Sequence, residues 1–152
     1  MTYKFTPATI HHVKGLVDDI SQDVKEEMLA LKHGDLVQNI KQLSEHSDEA
    51  WTATYNDVII CVFGVKRTNL LSDVAYPWLI TTNEVKRHKR NFLKGAKISI
   101  AYWLKRYNTL ENYVPSEFGM LIKWVRWVGF TVFPAAPTGF HNKMVHKIEM
   151  RK

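Results

Sequence analysis

The spacing of apolar residues switches between two periods along this chain, and the switches outline its elements. Tyr3 to Phe5 (YKF) predicts a short strand, and Thr6-Pro7 then reads as a helix start, with proline in its favoured first-turn place. Ile10, Val13, Leu16, Val17 and Ile20 recur at helical spacing. A second helix is expected near Asp23 to Leu31, broken by KHG. A third is expected over about Asp35 to Ser44, with Leu36, Ile40 and Leu43 on one side. The clearest strand pair follows: EAWTATY and VIICVFGV, joined by the hairpin turn Asn56-Asp57. The second of these strands is apolar on both faces, which places it centrally in a covered sheet. AYPWLITT is another strand, entered through Pro77.

A long helix is predicted from about Val85 to Tyr107. Phe92, Ala96, Ile100, Trp103, Leu104 and Tyr107 form its buried stripe, while Lys89, Arg90, Lys94, Lys97 and Lys105 lie largely outside it. LENYV is a strand, and Pro115 or Ser116 opens another helix with Phe118, Leu121, Ile122 and Val125 facing inward. Gly129 can supply the left-handed residue that ends this helix. FTVFPA and KMVHKIEM are the last strands, separated by the loop APTGFHN. The order is strand, helices, three strands, helix, strand, helix, two strands. It predicts one α/β domain over residues 1–152, a mixed, mostly antiparallel sheet with helices on both faces.

Composition narrows the partners. The chain has 152 residues, 45% of them hydrophobic, enough for a real core. A formal charge of +6 and a pI near 9.4 favour an anionic partner: nucleic acid, a phosphorylated cofactor or another acidic surface. The single cysteine, Cys61, rules out an intrachain disulfide framework and fits a reducing compartment. The first residues lack the apolar core of a signal peptide, and no apolar run is long enough to span a bilayer, so neither secretion nor membrane insertion is expected. The densest charge is Lys86-Arg87-His88-Lys89-Arg90, at the start of the predicted long helix. Cations at a helix start oppose the dipole and cost about 0.3–1 kcal/mol each at exposed sites. A bound anion would offset that cost, because unpaired N–H groups make a helix start a natural anion site.

The order of elements, with YVPSEFGMLIKWVRWVGF, resembles the GNAT (Gcn5-related N-acetyltransferase) family over nearly the whole chain. That family commonly shows a strand valine, an asparagine four places on, an Ala-Ile pair, a tyrosine and a closing Gly-Phe. Counted from Val114, the closing pair is Gly129-Phe130 and Ile122 matches the isoleucine. KRNFLK, LENYV and KWVRWVGF also resemble GNAT-like proteins of tailed phages, including the podophage internal virion protein family. The resemblance implies acetyl-CoA as cofactor, its pyrophosphate at the start of the helix after the fourth strand. Val85, Lys86, Arg87, His88, Lys89, Arg90 and Asn91 would serve the phosphates, with Asn112 also on the cofactor side. Leu79, Ile80, Thr81 and Thr82 would offer backbone groups to the pantetheine arm. Glu84, Glu111 and Glu117 are the candidate bases. Departures accompany the likeness: the family's glycine places hold Arg90, Phe92 and Lys94, its asparagine place Phe118, and its general-acid tyrosine place Val125. Ser116, Tyr113 or water would have to replace that acid.

Other constellations say less. The seven histidines form no metal spacing with a nearby cysteine or carboxylate, so no metal is expected. Cys61, mid-strand among apolar residues, reads as a core thiol. Trp124 and Trp127, with Lys123 and Arg126, are expected to be part-buried against the neighbouring strand. The sharper alternative is a partner surface. Three functions follow: a phage-encoded acetyltransferase acting on an amine, such as one on a host protein; a catalytically silent virion or assembly protein on the same scaffold; and a basic nucleic-acid-binding module. The matching locations are the cytoplasm of an infected bacterium or the virion.

Overall fold

The computed structural model describes residues 3–9, 11–12, 16, 20, 36–137 and 143–152. Among these, eight strands hydrogen-bond in the order β1-β2-β3-β4-β5-β8-β6, with β7 also on β8. They are β1 (Tyr3–Pro7), β2 (Glu49–Tyr55), β3 (Val58–Arg67), β4 (Val74–Thr81), β5 (Thr109–Pro115), β6 (Thr131–Val132), β7 (Ala136–Pro137) and β8 (Met144–Arg151). The helices among the described residues include α1 (Leu36–His46), α2 (Lys89–Trp103) and α3 (Gly119–Val128), with a 3-10 turn over Asn83–Arg87. β4 and β5 run parallel, whereas β1/β2, β2/β3, β5/β8, β6/β8 and β7/β8 are antiparallel. This is the mixed, mostly antiparallel α/β sheet that the element order predicts.

Two compact units divide the chain: Met1–Lys66 with Trp78–Lys89, and Arg67–Pro77 with Arg90–Lys152. In the first, β2 and β3 meet at Asn56 and Asp57, whose φ angles of 50° and 66° both lie in the left-handed region. A two-residue turn of that kind matches the twist of its strands, and Asn and Asp tolerate it. Leu16, Ile20, Ile40, Val62 and Ile80 form the core here, with Leu43, Ile59 and Trp78 packed on it. Burying each of the large aliphatic side chains stabilises by roughly 1.5–3 kcal/mol. Gly64 is where Trp78 comes closest to β3. A methyl group there would lie 2.3 Å from Glu49 O and 2.6 Å from the Trp78 ring.

In the second unit, the N–H groups of Asn108 and Thr109 both donate to Asp73 O, at 2.9 and 3.2 Å. This starts β4 and β5 side by side, with Val74 opposite Thr109 and Ala75 opposite Leu110. Tyr107, fully buried, has the guanidiniums of Arg67 and Arg106 at 5.4 and 5.5 Å from its ring centre. Gly129 ends α3 at φ 121°, as the sequence predicts.

Several boundaries differ from expectation. Thr6 and Pro7 do not start a helix. They continue β1, where Pro7 pairs with Trp51. β1 is terminal in the strand order, and an edge strand tolerates a residue with no N–H to donate. The long helix does not begin at Val85. The 3-10 turn comes first, ends at His88, and α2 starts at Lys89. Pro115 and Ser116 open no helix: Pro115 still pairs with Val145, and α3 begins at Gly119. Part of the loop APTGFHN is strand β7. The helix expected near Asp23 to Leu31, with KHG, lies outside the described residues.

Candidate functional site

The first unit holds the carboxyl half of β4 and the 3-10 turn. Ile80, Thr81, Thr82 and Val85 are buried and Leu79 half-buried. Thr82 joins strand to turn. Its hydroxyl reaches Ile59 O at 2.8 Å and Ile60 O at 3.0 Å, and accepts from the Glu84 N–H at 3.3 Å. Its own N–H donates to Ile60 O (3.0 Å) and its carbonyl accepts from the Val85 N–H (3.2 Å). Thr82 therefore spends its N–H on β3 and its carbonyl on the turn it caps.

Glu84 stands in the first turn and Lys86 and Arg87 in the last, with Arg87 4.0 Å from Glu84. Lys86, Arg87 and Lys89 are exposed. His88 points elsewhere. Its Nδ1 lies 2.7 Å from Tyr3 Oη, and its ring packs on Tyr3 and Tyr55 at 5.5 and 4.7 Å.

The second unit, described by itself, holds the body of α2, β5 and α3. Arg90, Asn91 and Lys94 are exposed, and the first turn of α2 carries no acid. Phe92, in a glycine place of the family pattern, rests on Trp124 of α3 at 5.2 Å between ring centres. Trp124 is part-buried, as expected, with the α2 ring beside it; Trp127, expected to be part-buried too, is half-exposed.

On β5, the Asn112 amide donates to Pro77 O at 2.7 Å, and its oxygen accepts from the Tyr113 N–H at 2.7 Å. Asn112 therefore ties β5 to β4, a structural role beside the cofactor role read from sequence. Ser116 donates its hydroxyl to Met144 O at 2.8 Å. Tyr113 is half-exposed.

Each candidate carboxylate has a cation partner. Besides Glu84 with Arg87, Glu117 pairs with Lys143 (3.1 Å) and Glu111 with Lys147 (3.4 Å). Glu111 stands opposite Glu149 in the β5/β8 register, a like-charge pair that would repel. Lys147 bridges both, 3.3 Å from Glu149, and Arg151 bonds Glu149 from the other side. The Arg151 hydrogen bond, then Lys147, holds the Glu149 carboxyl below its ordinary range. Glu149, then Glu111, holds the Lys147 ammonium above its own. This network escaped the sequence reading, although the alternation of Lys147, Glu149 and Arg151 along one strand face could have signalled it.

Cys61 is buried, and burial pushes its thiol up to about 12. Among the described residues no three His, Cys, Asp or Glu side chains gather around a common point.

The fold is GNAT-like, as seen in Gcn5-related N-acetyltransferases of known structure. The chain is similar to a spermidine N-acetyltransferase of Vibrio cholerae solved with CoA and spermine. The TM-score is 0.75 and the identity 9%, over 98% of this chain and 95% of that one. It is similar to a Gcn5-related N-acetyltransferase of Kribbella flavida at TM-score 0.72 and 12% identity, over 99% and 98%. A protein of Streptococcus mutans matches at TM-score 0.73 and 12% identity, over 97% and 98%. At such identities the likeness establishes the fold. No protein-family model and no curated protein sequence matches the chain.

Proposed function

We propose that this chain is an acetyl-CoA-dependent N-acetyltransferase that passes an acetyl group to an amine. The supporting observation is the exposed cation run of Lys86, Arg87, Lys89 and Arg90 leading into α2, in a chain of this fold. The donor chemistry fits a polyphosphate: four exposed cations, no acid in the first turn of α2, and a Phe92 ring taken up by Trp124. With Arg90, Phe92 and Lys94 in the glycine places, the phosphates are held by side-chain charge more than by a bare backbone cradle. Acetyl-CoA, when bound, supplies an acetyl group activated as a thioester.

Protein groups supply the rest. Positioning of the two substrates carries most of the rate. Glu84, Glu111 and Glu117 are each engaged in an ion pair, with Arg87, Lys147 and Lys143, so on this reading the amine enters already deprotonated, its proton left with bulk water. On this reading Tyr113, whose ring is half-exposed, or water gives the proton that the departing thiolate takes up. The neighbour seated with spermine supports an amine acceptor in general. The phage-like segments KRNFLK, LENYV and KWVRWVGF support a phage setting, with host-protein amines as acceptors in the infected cytoplasm.

The test is isothermal titration with acetyl-CoA. Micromolar binding is expected, weakened at least about tenfold in Lys89→Glu/Arg90→Glu. No heat at high micromolar ligand would end the acetyltransferase reading.

A second reading has its own support. Val125 stands in the tyrosine place, and the Ser116 hydroxyl is given to Met144 O. A silent scaffold or assembly protein within a phage particle needs no proton donor. Recovery of the protein in purified virions at fixed copy number, with no acetylation of polyamines or peptide amines, would favour it.

A further inference from the structure

α2 and α3 are neighbours and each carries a solvent-exposed stripe, of which the acetyl-transfer reading uses only Lys94. The helices lie side by side, with Phe92 on Trp124 at 5.2 Å and Lys97 Nζ 4.1 Å from the Trp127 ring centre. Neither helix contains an acidic residue. On α2, Lys94, Ile98 and Tyr102 follow at four-residue steps, with Ile98 72% and Tyr102 53% exposed. On α3, Met120, Lys123 and Trp127 follow at steps of three and four, with Met120 54% and Trp127 50% exposed. Each stripe mixes cations with large apolar side chains left in water.

Three occupants compete for such a face. A protein partner would be matched by tryptophan, tyrosine and methionine, but interface cores are depleted in lysine, and three lysines stand here. A nucleic acid would use the cations and could stack on Trp127, but would give Ile98 and Met120 nothing to bury against. An anionic lipid surface takes all of them. The aliphatic ends enter the acyl boundary, the tryptophan and tyrosine rings sit at headgroup depth, and the lysines reach the phosphates along their own stems.

We infer that the paired outer faces of α2 and α3 are a docking surface for an anionic phospholipid bilayer, on which the protein lies peripherally. This adds to the sequence expectation that the chain does not span a membrane, since lying on a bilayer needs no spanning helix.

The experiment is flotation of the full chain with vesicles of phosphatidylcholine alone and of phosphatidylcholine mixed with phosphatidylglycerol, at low and high salt. Partitioning at least about tenfold stronger to the anionic vesicles, falling with salt, is expected. Ile98→Ser/Trp127→Ser should lose about tenfold, and Lys97→Glu/Lys123→Glu more, with circular dichroism confirming that both variants fold. Titration with acetyl-CoA should leave both variants unchanged, because Lys89, Arg90 and Lys94 are untouched. Equal partitioning to neutral and anionic vesicles, none to either, or serine variants that bind like the parent would overturn the inference. So would tighter binding to a single-stranded oligonucleotide that is indifferent to Ile98→Ser/Trp127→Ser.

Discussion

Thr82→Val removes one oxygen from the junction of β4 and the 3-10 turn while keeping its shape. Thr82 is fully buried. The oxygen has two tasks: it donates to the Ile59 and Ile60 carbonyls at 2.8 and 3.0 Å, and it accepts from the Glu84 N–H at 3.3 Å. Losing an N-cap costs about 1 kcal/mol. Losing a buried hydroxyl-to-carbonyl bond costs about another 1 kcal/mol, since Ile60 O keeps the Thr82 N–H as a partner. The sum is about 2 kcal/mol, a fall in Tm of about 4–8 °C for a chain of this length. The turn carries Lys86 and Arg87, so a frayed turn should also weaken acetyl-CoA binding. Thermal melting by circular dichroism gives the first quantity and titration calorimetry the second, with Thr82→Ser restoring most of both. If the valine variant melts within about 1 °C of the parent, the hydroxyl does not hold this junction, and the account of how β4 sets the turn is wrong.

Three further outcomes follow from the packing and the charges. Gly64→Ala should destabilise by about 1–3 kcal/mol, because the added methyl meets Glu49 O and the Trp78 ring at 2.3 and 2.6 Å; an unchanged urea midpoint would refute that crowding. The lowered Glu149 carboxyl contributes stability that is present above its ordinary 4.5 and lost as pH falls through its lower folded value. The raised Lys147 ammonium contributes below its ordinary 10.5 and loses that as pH rises through its higher folded value. Lys147→Met should therefore melt lower at neutral pH and lose less on acidification; a melting curve parallel to the parent's across pH would exclude the network. Cys61, buried with its thiol near 12, should resist alkylation at pH 8 until urea unfolds the chain, and rapid native labelling followed by mass spectrometry would contradict its burial.

Some of this architecture is written locally and some is not. The hairpin at Asn56-Asp57 was legible because turn chemistry is local and those two residue types tolerate positive φ. The central place of β3 was legible because an apolar residue on both faces leaves water no side to occupy. The helix start misplaced to Val85 was not legible. The break at His88 coincides with a contact to Tyr3, 85 residues away, and periodicity carries no sign of such a partner. Pro7 misled for a related reason: its tolerance depends on β1 being terminal in the sheet, which is decided by pairing with β2. Asn112 and Ser116 read as chemistry because their side chains are polar. Their hydrogen bonds go to Pro77 O and Met144 O, carbonyls that no spacing rule could have named.

The shifted helix start also changes the meaning of the cation run. Read as one helix from Val85, Lys86, Arg87, Lys89 and Arg90 all oppose the dipole. In the structure, Lys86 and Arg87 close the 3-10 turn, whose first turn holds Glu84, so acid leads and cations follow in the order a helical dipole favours. Only Lys89 and Arg90 stand at the start of α2, with no acid among its first residues. Their dipole cost is then about 1–2 kcal/mol in the free chain, roughly half of what the sequence suggested. That remainder is what a bound phosphate would offset. It also limits the site: exposed lysine and arginine give up rotamer freedom to hold an anion and are screened by salt, whereas a glycine-lined backbone gives up neither. On the proposed acetyl-CoA reading, Arg90, Phe92 and Lys94 in place of the glycines would exchange a fixed cradle for adjustable charge, and phosphate binding should then weaken as ionic strength rises.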